Sequence, residues 1–282
     1  MPAARNKKNL PDKTPSGPSA RRVLMVVLWE FVVSGSHHVW NSVLVEVLMA
    51  AGQTEQAARQ AIQRAAAAGW LEKRPEGRRV CWTLTPAVLT FLAEGWQHVY
   101  PVNRTTWDGR WLILMVSLSE SHRAVRDKLY KSLKWAGFGN PSPGLWISPY
   151  ADTRDEIKRL VRSLGLSDVT FSFIGQALDI GVNDQRLVQM CWDLDGISKH
   201  YQDLLARYTA LNPRSRDEIF LAHIHLLIEW GKLPLIDPRL PSALLPPDWA
   251  GQHAAAELEY LLAEWRRVAR ARWDEIAERA QP

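Results

Sequence analysis

Apolar side chains recur at helical spacing early in the chain: Val23, Val27 and Phe31, beside Leu24 and Leu28, predict a helix over about 20–33 that stops at Ser34-Gly35-Ser36. A second helix is predicted over about 41–50 and closed by Gly52, after which Thr54 is placed to cap a third. Along that third helix, 54–68, Ala58, Ile62 and Ala65 form one stripe, while Gln56, Arg59, Gln60 and Gln63 occupy the other sides. Two strand-like runs, 70–74 and 78–84, flank the turn-forming trio Pro75-Glu76-Gly77, so a hairpin is expected to follow the helix. Thr85-Pro86 then opens a helix ending near Glu94-Gly95, with Val88, Leu89 and Leu92 on its apolar side.

The pattern changes after Pro101. The almost unbroken apolar run 111–118 reads as a buried strand. A helix over about 122–136 follows, with Val125, Leu129 and Leu133 spaced by four. Next come Gly137-Phe138-Gly139, a strand at 145–148, a helix at 153–164 capped by Asp152, a strand at 168–173 and a short one at 177–180. From Asn183 onward the signals are helical: 185–208 with a break at Gly196, then a capping box from Ser215 to Glu218 ahead of the apolar run 219–230. Residues 233–249 hold five prolines and read as a packed connector, and an amphipathic helix spans about 252–279. The fold class is therefore α+β and multidomain: a tail at 1–19, a helix-and-hairpin domain at 20–98, an α/β sandwich of ferredoxin-like type at 99–182 and a helical domain at 183–282.

Charge sharpens the picture at the N-terminal end. The formal net charge is +5, and residues 1–22 alone carry six Lys/Arg against Asp12, so the remainder is neutral overall. Within that remainder, 56–79 holds Arg59, Arg64, Lys73, Arg74, Arg78 and Arg79 against Glu72 and Glu76. Amide and guanidinium groups on a helix pair bidentately with adenine and guanine edges, and arginines on a hairpin grip phosphates without reading sequence. Helix followed by β-hairpin is the layout of a winged helix-turn-helix, although a solvated helix face has the same composition. The candidate DNA-binding residues are thus Thr54, Gln56, Arg59, Gln60, Gln63, Arg64, Lys73, Arg74, Arg78 and Arg79.

Cys81 and Cys191 are 110 residues apart in core-like segments, which argues for a reducing compartment and a cytoplasmic protein. Arg21-Arg22 before an apolar run superficially resembles an export signal, but Glu30 interrupts the run and no small-residue cleavage site follows. The run is also too short to span a bilayer, so no membrane partner is expected. No phosphate-binding glycine loop, nucleophile elbow or paired-carboxylate signature is present. His223 and His225, two apart on a helix, face nearly opposite sides, and His37-His38 reads as a loop pair; no metal or cofactor is expected. Of the fourteen tryptophans, most of those after residue 95 suit core packing, and some suit the wall of a pocket for an aromatic group.

Several landmarks occur in a familiar order: Ala68-Gly69-Trp70-Leu71, Gly77-Arg78-Arg79, Thr83-Leu84-Thr85, Trp107-Asp108-Gly109-Arg110-Trp111, Gly137-Phe138-Gly139, Leu145-Trp146-Ile147-Ser148-Pro149 and Cys191-Trp192-Asp193-Leu194. Together with Asp237-Pro238, Leu240-Pro241, Leu244-Leu245-Pro246 and Asp248-Trp249-Ala250-Gly251, they resemble the PaaX-type repressors of phenylacetate degradation. The resemblance implies a winged helix, a central ferredoxin-like domain similar to that of the CRISPR-adaptation nucleases, and a helical C-terminal domain. It also implies a homodimeric repressor of an aromatic-acid catabolic pathway, not an enzyme, that binds a double-stranded operator and is released by an acyl-CoA or aryl-acid effector, phenylacetyl-CoA above all. Arg59, Arg64, Arg78 and Arg79 match family basic positions, and the candidate effector-binding residues are Trp107, Arg110, Trp111, Trp192, Tyr201, Trp230 and Lys232. Two departures stand out: the third helix is unusually rich in alanine, and Glu229-Trp230-Gly231-Lys232 replaces a histidine-tyrosine-arginine-arginine cluster. The competing functions are a winged-helix adaptor for other proteins and a metal-dependent nuclease; for the latter, Glu120 is a poor substitute for the aspartate expected at the end of the first strand.

Overall fold

The computed structural model describes residues 18–280 apart from 36, 77–78, 91, 93–106, 119–121, 179 and 234–235, with only the backbone at 75–76. The chain divides into two compact units, 1–84 with 277–282, and 85–276. Both are mixed helix and antiparallel sheet.

In the first unit α1 (Ala20–Val27) continues as a π-helical stretch, Leu28–Val33, and is followed by α2 (Asn41–Ala50) and α3 (Glu55–Ala67). Val23, Val27, Phe31, Val43, Leu44, Leu48 and Ile62 are almost fully buried, so the three apolar stripes meet in one core. Among the described residues the sheet has the order β1-β3-β2, with β1 at His38–Trp40, β2 at Leu71–Glu76 and β3 at Arg79–Leu84. The expectation of a loop at His37-His38 needs correcting, because His38 opens β1 and pairs with Thr83. Three residues are too few for a periodicity signal; it is the β3 edge that recruits them. Trp82 Nε1 donates to Asn41 Oδ1 at 3.0 Å, which fastens the hairpin to the start of α2.

After a helical stretch at 86–90, the second unit continues with β4 (Trp111–Val116), α4 (Arg123–Trp135), β5 (Gly139–Ser142), β6 (Leu145–Ser148), α5 (Arg154–Ser163) and β7 (Thr170–Gly175). The strands form an antiparallel sheet of order β5-β6-β4-β7. Alternation sends Leu112, Leu114 and Val116 to one face, where they pack with Trp146 against Leu129, Leu133, Ile157 and Val161 of the two helices. Trp111 and Ile147 point to the other face and meet Val188, Leu240 and Leu244.

Helices α6 (Asp184–Cys191), α7 (Leu194–Leu211), α8 (Arg216–Trp230) and α9 (Ala250–Arg279) follow. The Ser215–Glu218 capping box forms as expected. Arg272 pairs with Asp217 and Arg216 with Glu275, tying the start of α8 to α9.

Four expectations shift. Strand β5 carries Gly, Asn, Pro and Ser and shows no apolar alternation, so only its pairing with β6 reveals it. Strand β7 begins two residues later than expected, after a 3-10 turn at Ser167–Val169, and 177–180 forms no strand among its described residues. A 3-10 turn, Ala151–Thr153, precedes α5, and Asp152 does not cap it; Thr153 Oγ1 instead donates to the Tyr150 carbonyl at 2.7 Å. The helical break falls at Trp192-Asp193, since Asp193 caps α7 by accepting from the Gly196 N–H at 2.9 Å.

Candidate functional site

The basic stretch is built around α3. Thr54 has an extended backbone, and its Oγ1 accepts from the Ala57 N–H at 3.2 Å, satisfying one of the donors exposed at the helix start. Ala58, Ala61, Ile62 and Ala65 are buried, and such small side chains let α3 lie close to its neighbours. Gln56, Arg59, Gln60, Gln63 and Arg64 are all exposed on the opposite side. Three of them already have intrahelical partners: Arg59 reaches Glu55 Oε1 through Nε at 2.9 Å and Nη2 at 2.6 Å, and Arg64 Nη2 donates to Gln60 Oε1 at 3.4 Å. Exposed i,i+4 pairs of this kind are worth about 0.3–0.5 kcal/mol, so both guanidinium groups exchange partners at little cost.

The hairpin register pairs Lys73 with Trp82, Arg74 with Cys81 and Glu76 with Arg79. Side chains alternate along a strand, so Arg74 and Arg79 share one face of the hairpin while Lys73 lies on the other, beside Trp82. All three are exposed. Arg79 Nη1 donates to the Ala280 carbonyl at 2.9 Å, and Arg279 Nη2 pairs with Glu46 Oε1 at 3.0 Å. Arg78 lies outside the described residues. Composition gave no sign of two further contacts: the Arg21 guanidinium lies 5.4 Å from the Trp70 ring centroid, and Gln53 Nε2 donates to the Pro18 carbonyl at 2.9 Å.

The candidate effector residues fall into two aromatic groups. In the first, Trp107 meets Trp111 edge-on at 5.2 Å and Trp111 stacks with Trp192 at 6.3 Å; Trp111 Nε1 donates to Asp184 Oδ1 at 2.7 Å. Arg110 pairs with Asp108 at 2.6 Å and holds that carboxyl below the usual carboxylate range. In the second group Tyr201 meets Trp230 and Trp249, and its hydroxyl donates to Asp237 Oδ2 at 2.6 Å. Burial first, and the Asp237 carboxylate second, push the Tyr201 phenol far above its ordinary value, so it stays protonated as a fixed donor. Lys232 Nζ is bound to Glu229 Oε1 at 2.5 Å.

Trp111 and Trp230 are 2% and 1% exposed, so both are packing residues here. Of the seven candidates only Trp192 lines the cleft of about 300 Å³ that opens beside α4, β5 and the α6–α7 break. Its other walls include Lys134, Phe138, Asn140, Cys191 and Asp193, none of which carries a sequence signal for a ligand. The nearest clue to them was the glycine pair around Phe138. A Cβ on Gly139 would sit 2.7 Å from the Trp192 ring and closer still to Cys191, so the glycine is what brings β5 against this corner. Burial pushes the Cys191 thiol up to about 12, leaving it neutral near pH 7.

Three family models cover most of the chain: "PaaX-like protein" matches 19–88, "PaaX protein central Cas2-like domain" 104–188 and "PaaX-like protein C-terminal domain" 192–275. The "Transcriptional repressor PaaX" of Escherichia coli K12 is 29% identical over 255 residues, spanning 86% of this chain and 78% of that protein. The chain belongs to the PaaX family. Its fold is similar to that of an uncharacterized protein, Rv0674, of Mycobacterium tuberculosis, with a TM-score of 0.61 and 21% identity over 87% of this chain and 96% of the other.

His223 is fully buried within α8. Among the described residues no three His, Cys, Asp or Glu side chains gather as a metal-ligand set, and Glu120 lies outside them. No helix among the described residues is long and apolar enough to cross a membrane.

Proposed function

We propose that this PaaX-family protein is a ligand-responsive, DNA-binding transcriptional repressor of an aromatic-acid catabolic pathway, acting in the cytoplasm and not as an enzyme. The observation that carries the reading is the capped α3, small on its inner face and exposing Gln56, Arg59, Gln60 and Gln63, directly followed by an arginine-bearing hairpin. In this reading residues 20–98 are a winged helix-turn-helix. Arg59, Gln60 and Gln63 read base edges in the major groove, with Thr54, Gln56 and Arg64 beside them, and Lys73, Arg74, Arg78 and Arg79 hold phosphates. Residues 99–182 are the ferredoxin-like domain, a reading supported by the β-α-β-β-α-β sequence with strand order β5-β6-β4-β7. Residues 183–282 are the helical domain, and 1–19 a basic tail.

The protein acts as a homodimer whose two α3 helices enter successive major grooves of a pseudo-palindromic operator. Supporting self-association, Met115, Phe171 and Phe173 share a sheet face and are 49%, 61% and 56% exposed, and β7 stands at the end of its sheet. The effector is an aryl-acyl-CoA such as phenylacetyl-CoA, or the free aryl acid. It enters the cleft beside Trp192 and Lys134 and releases the operator because it binds the released state more tightly.

A footprint on the DNA upstream of the protein's own gene, titrated with acyl-CoAs and aryl acids, tests this. Protection of a pseudo-palindrome that disappears with phenylacetyl-CoA is expected. Absence of protection would sink the DNA assignment, and protection indifferent to every acyl-CoA and aryl acid would sink the effector assignment alone.

A further inference from the structure

The positive charge at the start of the chain leaves the first unit from a defined place. Residues 1–22 carry Arg5, Lys7, Lys8, Lys13, Arg21 and Arg22 against Asp12, which equals the net charge of +5 of the whole chain. Two contacts fix the point of departure. Gln53, whose Nε2 donates to the Pro18 carbonyl at 2.9 Å, directly precedes Thr54, the cap of α3. Trp70, whose ring centroid lies 5.4 Å from the Arg21 guanidinium, directly precedes Leu71, the first residue of β2. The basic stretch is therefore tethered beside both elements assigned to DNA.

Arg21 and Arg22 are exposed in the first turn of α1, and among the described residues Arg22 has no ion pair or side-chain hydrogen bond. A cation on an aromatic face uses its charge and not its N–H donors, so Arg21 keeps its guanidinium fork for an anion. Residues 1–17 can reach at most about 60 Å, well over one turn of a duplex. Between residues 2 and 17 Leu10 is the one large apolar side chain. A membrane surface or a protein groove needs an apolar face to bury, whereas a phosphate backbone needs only cations within reach. The match to the family model begins at residue 19, so the likeness to PaaX proteins does not extend to this stretch.

We infer that residues 1–22 are a third DNA-binding element, an arm that lies along the phosphates flanking the half-site read by α3. The inference rests on the winged-helix reading of residues 20–98. Arg21 and Arg22 take the nearest phosphates, and Arg5, Lys7, Lys8 and Lys13 neutralise phosphates farther out. Backbone contacts carry no sequence information, so the arm adds affinity without adding preference. Because the rest of the chain is neutral overall, the arm also supplies the net attraction that draws the protein to a polyanion.

The test compares the full chain with the length-preserving variant Arg5→Gln/Lys7→Gln/Lys8→Gln/Lys13→Gln on duplexes with and without flanks of about 10 base pairs, one helical turn. On flanked duplexes the slope of log affinity against log salt should fall by roughly 3.6 for each bound protomer, about 0.9 for each cation removed. Arg21→Ala/Arg22→Ala should lower it by roughly 1.8. The quadruple variant should keep its thermal midpoint and its preference for the operator over random DNA, and on a duplex trimmed to the two half-sites it should bind like the unaltered chain. A fall of less than about 0.9, one phosphate's worth, would overturn the arm while leaving the assignment of α3 intact. A lost preference for the operator, or a difference that survives trimming, would overturn the placement on flanking backbone. Failure of the full chain to bind any duplex would remove the winged-helix reading and the arm with it. Binding to phosphatidylglycerol vesicles that needs the four cations, with the DNA slope unaltered, would assign the stretch to a membrane surface instead.

Discussion

At the residue scale, Gly139 and Cys191 control the corner beside Trp192. Gly139→Ala forces a methyl group into the Cys191 side chain and the Trp192 ring, and overpacking of this kind costs about 1–3 kcal/mol. The expected outcome is a lower urea midpoint with an unchanged slope; a variant as stable as the parent would show that β5 shifts freely. Cys191 makes a prediction in pH. Its folded value, about 12, lies above the ordinary 9.0, so its contribution to stability is complete below pH 9 and is lost as pH rises toward 12. Replacing Cys191 by Ser should therefore flatten the alkaline limb of the stability profile. A limb identical to that of the unaltered protein would exclude the thiol as its source.

At the element scale, the hairpin decides which of its cations act together. Alternation puts Arg74 and Arg79 on one face and Lys73 on the other, so the arginine pair is the unit to remove. Arg74→Ala/Arg79→Ala should weaken DNA binding by a similar factor on every sequence. It should also reduce the slope of log affinity against log salt by roughly 1.8, about 0.9 for each phosphate that is no longer neutralised. An unaltered slope would remove the hairpin from the interface. The same scale shows how unevenly elements can be read from sequence. Helix α3 and the Ser215–Glu218 capping box were legible because each signal lies within a few residues of itself. Strands β1 and β5 were not, because a three-residue run and a Gly-Asn-Pro-Ser run carry no period of their own. Only a partner strand distant in sequence or across a turn makes strands of them.

At the scale of the whole molecule, the exposed face formed by Met115, Phe171 and Phe173 is the surface on which the proposed dimer can be tested. Phe171→Glu/Phe173→Glu places two like charges there without touching the buried Leu112–Val116 face. The expected result is a monomer in sedimentation with unchanged circular dichroism and a lost footprint. A dimer that persists would move the interface elsewhere.

What the sequence by itself determined was local and periodic: the three apolar stripes of the first unit, the cap at Thr54, the exposed Gln and Arg face of α3, and a set of ordered landmarks sufficient for the PaaX family. What only the tertiary structure decided depends on segments far apart in the chain. It buried Trp111 and Trp230, joined Lys134 and Trp192 in one cleft, and tethered the basic start of the chain beside Gln53 and Trp70. The physical reason is that a helical or strand period specifies which face of an element is apolar, but not what will cover it. A wall or a cavity arises only where the covering elements meet, or stop short of each other.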